Sequence, residues 1–98
     1  MNIFEIYLEK IKNIIVKLSK ENQIVIPDNL NAINVDIPPA QFKCDISTNV
    51  ALVLSKINKQ DPLELAKNLS KIIKDNDKNI DNINIAKPGF INIKFNNF

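Results

Sequence analysis

The chain has 98 residues, of which 45% are hydrophobic and 24% charged, which is the balance of an ordinary single globular domain. Its net charge is only +2 and its basic residues are all lysines, so guanine readout by a bidentate arginine is excluded. With no histidine, one glycine and one cysteine, the chain lacks the residues for His-based catalysis, a glycine-rich phosphate loop, a disulfide or a Cys-rich zinc site. We expect neither a catalytic residue nor a metal site.

The first predicted element is an amphipathic helix of about four to five turns. Apolar residues recur at spacings of four and three, and Glu and Lys fill much of the remainder. The residues of this stripe are Phe4, Leu8, Ile11, Ile15 and Leu18. Additional apolar residues broaden the face, so we expect the helix to pack under more than one element. They are Ile3, Ile6, Tyr7 and Ile14.

A polar connection over residues 22–32 precedes the first predicted strand. Ile33, Val35 and Ile37 alternate with polar residues, which is the period of a half-buried strand. Pro38 and Pro39 are expected to end the strand, because neither can donate a hydrogen bond to a neighbouring strand.

The second predicted helix opens at Asp45, whose carboxylate can cap the first backbone N–H groups. Its buried stripe is predicted to be Ile46, Val50, Val53, Leu54 and Ile57. Asn49, one turn beyond the cap, either hydrogen-bonds inside the domain or faces a partner, and we favour the internal role.

The third helix has a well-marked start. Asp61 is the predicted N-cap, Pro62 takes the first helical position and Glu64 closes a capping box. The apolar pattern continues to Ile73 and is followed by a polar run.

Two strands are predicted to complete the chain. Ile83 and Ile85 mark the first, residues 87–90 reverse the chain, and the second follows directly. So short a connection makes the two strands antiparallel neighbours. We therefore predict an α+β fold, a small and mainly antiparallel sheet with helices covering one face and the other face at least partly exposed.

The last strand has two unlike faces. Its apolar face consists of Ile91, Ile93 and Phe95. The other face carries Phe90, Asn92 and Lys94, an aromatic ring, an amide and an ammonium group, which together suit an unpaired nucleotide. The alternative is structural: Phe90 packs under a loop, and Asn92 and Lys94 are ordinary solvated residues.

The single cysteine and the absence of long apolar runs indicate the compartment. Cys44 has no histidine to activate it, so we interpret it as a small packing residue before a helix. One unpaired thiol suits a reducing cytosol, and no apolar run approaches the roughly 20 residues that span a bilayer. We expect a cytoplasmic protein without a membrane partner.

Three segments, in order, resemble arginyl-tRNA synthetases. Residues 45–51, Asp-Ile-Ser-Thr-Asn-Val-Ala, with Lys56 beyond them, resemble a signature near the start of that family. Residues 61–66 resemble the helix that follows it, and residues 83–93 resemble the family segment I-x-x-A-x-P-G-F-I-N. The resemblance covers about residues 44–95. Cys44 and Ile46 depart from it, since the family usually has glycine and an aromatic residue there.

The resemblance implies that residues 1–98 are a single domain, the N-terminal domain of a longer class I synthetase that joins arginine to its tRNA with ATP. It implies that the domain contacts the D-loop at the outer corner of tRNA(Arg) and needs no cofactor of its own. Phe90 would be the stacking ring, Asn92 the hydrogen-bonding amide, and Lys87 a contact to a base edge or phosphate. DNA is not an expected partner.

A second hypothesis is a protein-interaction domain that packs on its own catalytic domain or on another partner. The broad apolar face of the first helix supports it. A free-standing small enzyme is a third possibility, which the missing catalytic residue types nearly eliminate.

Overall fold

The computed structural model describes residues 2–96. It shows three α-helices, one short 3-10 helix and a four-stranded sheet, which confirms the predicted α+β class. In chain order the elements are α1 Ile3–Lys20, β1 Val35–Asp36, the 3-10 helix Ala40–Phe42, β2 Ile46–Thr48, α2 Val50–Ser55, α3 Pro62–Asp75, β3 Ile80–Ala86 and β4 Phe90–Phe95.

The sheet has the order β1-β2-β4-β3, and every neighbouring pair is antiparallel. The last strand in sequence, β4, is therefore an inner strand. Ile93 of β4 lies opposite Ile46 of β2 on one side and Ile83 of β3 on the other. The predicted β3–β4 hairpin is confirmed.

Helices cover one face of this sheet. Ile91 and Ile93 of β4 are fully buried there, together with Ile46 of β2. The α1 stripe is confirmed at Ile11 and Ile15, which are almost completely buried, and the other helices complete a single core. The Asn2 side chain caps α1 by accepting a hydrogen bond from the Glu5 backbone N–H at 3.0 Å.

The prediction that a helix opens at Asp45 is wrong. Residues 46–48 form β2, and α2 begins only at Val50. The Asp45 carboxylate instead accepts the backbone N–H of Phe95 at 2.8 Å, and its own N–H donates to the Ile93 carbonyl. Ile46 and Thr48 are β-branched, and pairing along β4 satisfies their backbone groups better than one more helical turn would. Ile57, predicted to be buried, is exposed.

The first strand is shorter than predicted. Only Val35 and Asp36 pair with β2, and Ile33 and Val35 are buried as expected. Ile37 is 80% exposed, which contradicts its predicted inward orientation. The pairing ends before Pro38, and the chain turns into the short 3-10 helix.

The predicted N-cap Asp61 and the position of Pro62 at the start of α3 are confirmed, and this helix start lies against the β3–β4 turn. Asp61 accepts the Glu64 backbone N–H at 3.2 Å, and Pro62 occupies the first turn. A Cβ atom at Gly89 would lie 3.0 Å from both the Cβ and the carbonyl oxygen of Pro62. Glycine is therefore needed at this position so that the turn and the helix can approach closely. The Lys87–Pro88 peptide bond is cis.

A polar cluster joins α1 to the segment after α3. The Tyr7 hydroxyl donates to Asp77 Oδ2 at 2.5 Å, the Lys10 ammonium lies 3.6 Å from the same oxygen, and the Tyr7 ring contacts that of Phe95. Burial raises the pKa of Tyr7, and the bond to Asp77 raises it further. Burial also tends to raise the pKa of Asp77, but the Tyr7 hydroxyl, the Asn79 N–H and Lys10 outweigh it and lower that pKa overall.

Asp77→Asn should lower the free energy of unfolding by about 1 kcal/mol or more at pH 7, because charge-assisted hydrogen bonds are lost. A lowered folded-state pKa stabilises the domain above the unfolded value of about 3.9, and this contribution disappears as the pH falls through the folded value. The difference between variant and wild type in urea unfolding should therefore shrink below about pH 4. Asp81→Asn, at an exposed carboxylate, is the control. A difference independent of pH would contradict the assignment.

Candidate functional site

A cavity of about 620 Å³ lies between residues 37–42 and the sheet face that the helices leave uncovered. This volume is in the usual range for small-ligand sites. The apolar part of the lining comes mainly from the segment after β1 and from the end of the hairpin turn, and strands β2 and β4 supply polar groups. Lining residues include Ile37, Phe42, Ser47, Lys87, Phe90 and Asn92.

A row of polar residues crosses the sheet at this cavity. Asp36 of β1 lies opposite Ser47 of β2, Ser47 lies opposite Asn92 of β4, and Asn92 lies opposite Asn84 of β3. Directly opposed residues project to the same face of a sheet. The four side chains therefore share one face of the sheet, and Asn92 is on the inner strand β4.

Asn92 is the most unusual residue of this row. We expected an exposed amide, but its exposed fraction is 0%, so that expectation is wrong. Residues of the segment 37–42 line the same cavity as Asn92. Neither Oδ1 nor Nδ2 of Asn92 has a hydrogen-bond partner among residues 2–96. A buried polar group without a protein partner is uncommon in folded proteins, and an ordered water, an ion, local strain or a functional role can explain it.

Phe90 and Lys87 lie at the same cavity, whereas Lys94 does not. Phe90 opposes the small Ala86 on β3 and is 39% exposed, which leaves part of its ring accessible. Lys87 is exposed in the turn before it. Lys94 is exposed on β4 opposite Asn82 and is not among the residues that line the cavity. Three of the four predicted residues are thus brought together, and the fourth lies further along the strand.

Cys44 lies near this face but has a packing role. Burial raises the pKa of its thiol, the Asp45 carboxylate raises it further, and Lys94 partly opposes these effects. The Cys44 Sγ lies 3.3 Å from the Phe42 carbonyl oxygen, to which it donates. A raised pKa keeps the thiol protonated at neutral pH and disfavours a nucleophilic role.

Asn49 has the internal role that we favoured. Its Oδ1 accepts the Asn34 backbone N–H at 2.8 Å, and its Nδ2 donates to the Ala32 carbonyl at 3.0 Å. These bonds fix the segment before β1 against the end of β2. Asp36, Ser47 and Phe42 line the cavity and were not predicted. The unforeseen β2 aligns Asp36 and Ser47 with β4, whereas Phe42 comes from the 3-10 helix after β1.

The sequence profile of the arginyl-tRNA synthetase N-terminal domain matches residues 5–95. The chain belongs to this family. It is 57% identical over 95 residues to the arginine–tRNA ligase of Pelagibacter ubique, a match that covers 97% of this chain and 16% of the relative. It is 36% identical over 94 residues to the arginine–tRNA ligase of Bartonella henselae, which covers 96% of this chain and 16% of the relative. The synthetase domain thus spans about one sixth of the length of these relatives.

Residues 2–96 contain neither a membrane-spanning helix nor a metal-binding cluster. No helix in this range has the length and apolarity needed to cross a bilayer. No cluster of three or more Cys, Asp or Glu side chains in the same range is arranged to hold a metal ion. The cavity around Asn92 is therefore the feature of the synthetase domain on which a functional proposal rests.

Substitution of Asn92 tests whether its amide stabilises the folded domain. An unpaired buried amide costs on the order of 1–3 kcal/mol, so the similar-sized Asn92→Leu should keep or raise the free energy of unfolding in urea. Asn84→Leu, at the exposed residue directly opposite, is the matched control. A loss of more than about 1 kcal/mol on Asn92→Leu alone would show that the amide has a structural partner.

Proposed function

We propose that this synthetase domain binds tRNA(Arg) at the D-loop in the outer corner of the molecule, with one unpaired base entering the cavity beside Asn92. The observation that carries the proposal is the buried amide with both of its polar atoms unpaired. An amide offers an acceptor and two donors, which is the set needed to pair with the edge of a base. A base would supply the hydrogen bonds that the protein does not.

The accessible ring of Phe90 provides the second contact. Single-stranded bases are commonly held by stacking on an aromatic side chain, and each such contact contributes on the order of 1–3 kcal/mol. Phe90 and Asn92 are two residues apart on β4 and therefore lie on the same face. A base stacked on the ring would lie beside the amide, and the segment 37–42 would have to shift for the base edge to reach it, because Asn92 is fully buried.

Charge at the cavity orients the nucleotide. Asp36, on β1, would repel a phosphate, whereas Lys87, in the β3–β4 turn, would attract one. We place the sugar and phosphate on the Lys87 side and the base toward Asn92. Lys94, further along β4, would contact a neighbouring phosphate.

The remaining functions belong to the longer protein. We propose that the domain is one part of a cytoplasmic, ATP-dependent arginine–tRNA ligase, and that catalysis and ATP binding lie in the rest of that chain. The 98-residue domain would contribute affinity and positioning, need no cofactor and have no ligase activity alone. The family of this chain and its lack of histidine and of a glycine-rich loop support this division.

Phe90→Ala in the full-length synthetase should raise the KM for tRNA roughly tenfold, because a stacking contact is lost. The KM values for arginine and ATP should stay unchanged when tRNA is saturating. Ile57→Ala, at another exposed apolar residue away from the cavity, is the control. Unchanged tRNA kinetics for Phe90→Ala would refute the proposed site.

Lys87→Ala and Lys94→Ala should each reduce the slope of log Kd for tRNA against log salt concentration by about 0.7–0.9, since each lysine releases about one counterion. Lys71→Ala, on α3, should leave the slope unchanged. The slope is measured by tRNA-binding titrations at roughly 50 to 200 mM salt, where such slopes are resolved. Unchanged slopes for both lysine variants would contradict the proposed phosphate contacts; binding to a protein partner through an apolar interface, the second hypothesis, should instead change little with salt.

A further inference from the structure

A second groove, of about 270 Å³, lies between the first half of α1 and the end of β4. Ile3 and Ile6 line it from the helix, and Phe95 lines it from the strand. Lys10 and Asp77, the ion pair described above, are also part of its lining. It shares no lining residue with the Asn92 cavity, so it is a separate surface.

The composition of this groove suits protein rather than RNA. Ile6 is 38% exposed and Ile3 is half-buried, which leaves apolar area open beside a charged pair. An apolar centre with a polar rim is the usual form of a protein interface. The Asp77 carboxylate, whose pKa is lowered, carries a negative charge at neutral pH and would disfavour a phosphate backbone.

The position of the end of β4 indicates which polypeptide segment occupies the groove. The strand ends at Phe95, which is part of the lining of the groove. The relatives are about six times as long as this chain, and the family is an N-terminal domain, so more polypeptide follows this point in them. A segment tethered beside a groove has a high effective concentration there.

We infer that the Ile3–Ile6–Phe95 groove seats the segment of the longer synthetase that directly follows this domain. The inference rests on the proposal that the domain is continued by the rest of a synthetase, but it does not depend on the tRNA contact. Binding of this segment in the groove would fix the orientation of the proposed tRNA-binding face relative to the rest of the synthetase. A linker that also packs in a groove of the domain restricts domain motion more than a linker attached only by the chain does.

Thiol labelling tests this inference in the full-length synthetase. Ile6→Cys places a thiol in the groove, and Ile57→Cys and Val25→Cys place thiols at comparably exposed residues outside it. Alkylation rates are followed by mass spectrometry of the separate peptides, so other cysteines do not interfere. An occupied groove should slow alkylation at position 6 at least tenfold relative to both controls, since labelling then requires transient opening. If Ile6→Cys lowers solubility, Ile3→Cys is the second probe.

Each outcome decides the inference. Slow labelling at position 6 that does not change on dilution supports a segment of the same chain. Equal rates at positions 6, 25 and 57 overturn it. Protection that weakens on dilution assigns the groove to a second copy and also overturns it. Because the assay needs no tRNA, a failure of the Phe90→Ala prediction would leave this result intact.

Discussion

One polar side chain on the inner strand β4 is buried, and neither of its polar atoms has a hydrogen-bond partner in the part of the protein that the structure describes. Its burial costs free energy, which the rest of the fold must offset. Asn92 is that side chain. Its neighbours on β4, Ile91 and Ile93, are fully buried on the opposite face, and burial of each such side chain contributes on the order of 1.5–3 kcal/mol. The buried core thereby offsets the cost of the unpaired amide, and local costs of this kind are found at functional sites.

The helices could be predicted from the sequence because their signals are local. The α1 stripe and the Asp61–Pro62 start depend on residues within one or two turns of each other, and both are present as expected. The second strand could not be predicted in this way. Asp45 has the features of an N-cap, but it pairs with backbone groups of Ile93 and Phe95 about 50 residues later, and a long-range contact of this kind leaves no local pattern.

The sequence predicted which types of residue form the candidate site, but it predicted only part of their spatial arrangement. The alternation of β4 placed Phe90 and Asn92 on one face, as found. The cavity beside Asn92 is lined in part by the segment 37–42, which contains two prolines and a 3-10 helix and has no periodic pattern from which its path could be predicted. Asp36 joined the site only through the pairing of β1 with β2. The resemblance to the synthetase family pointed to the candidate surface but did not predict that Asn92 is buried.

The inner position of β4 also constrains how the domain is made. Because β2 and β3 both pair with β4 and not with each other, the sheet cannot close until the ribosome has released residues 90–95. During synthesis the earlier strands expose unpaired backbone edges, which are the features that promote aggregation. Helices α1 and α3 can form during this interval, since their contacts are local. Pairing of β4 thus completes the sheet and, with it, the face that carries the candidate site.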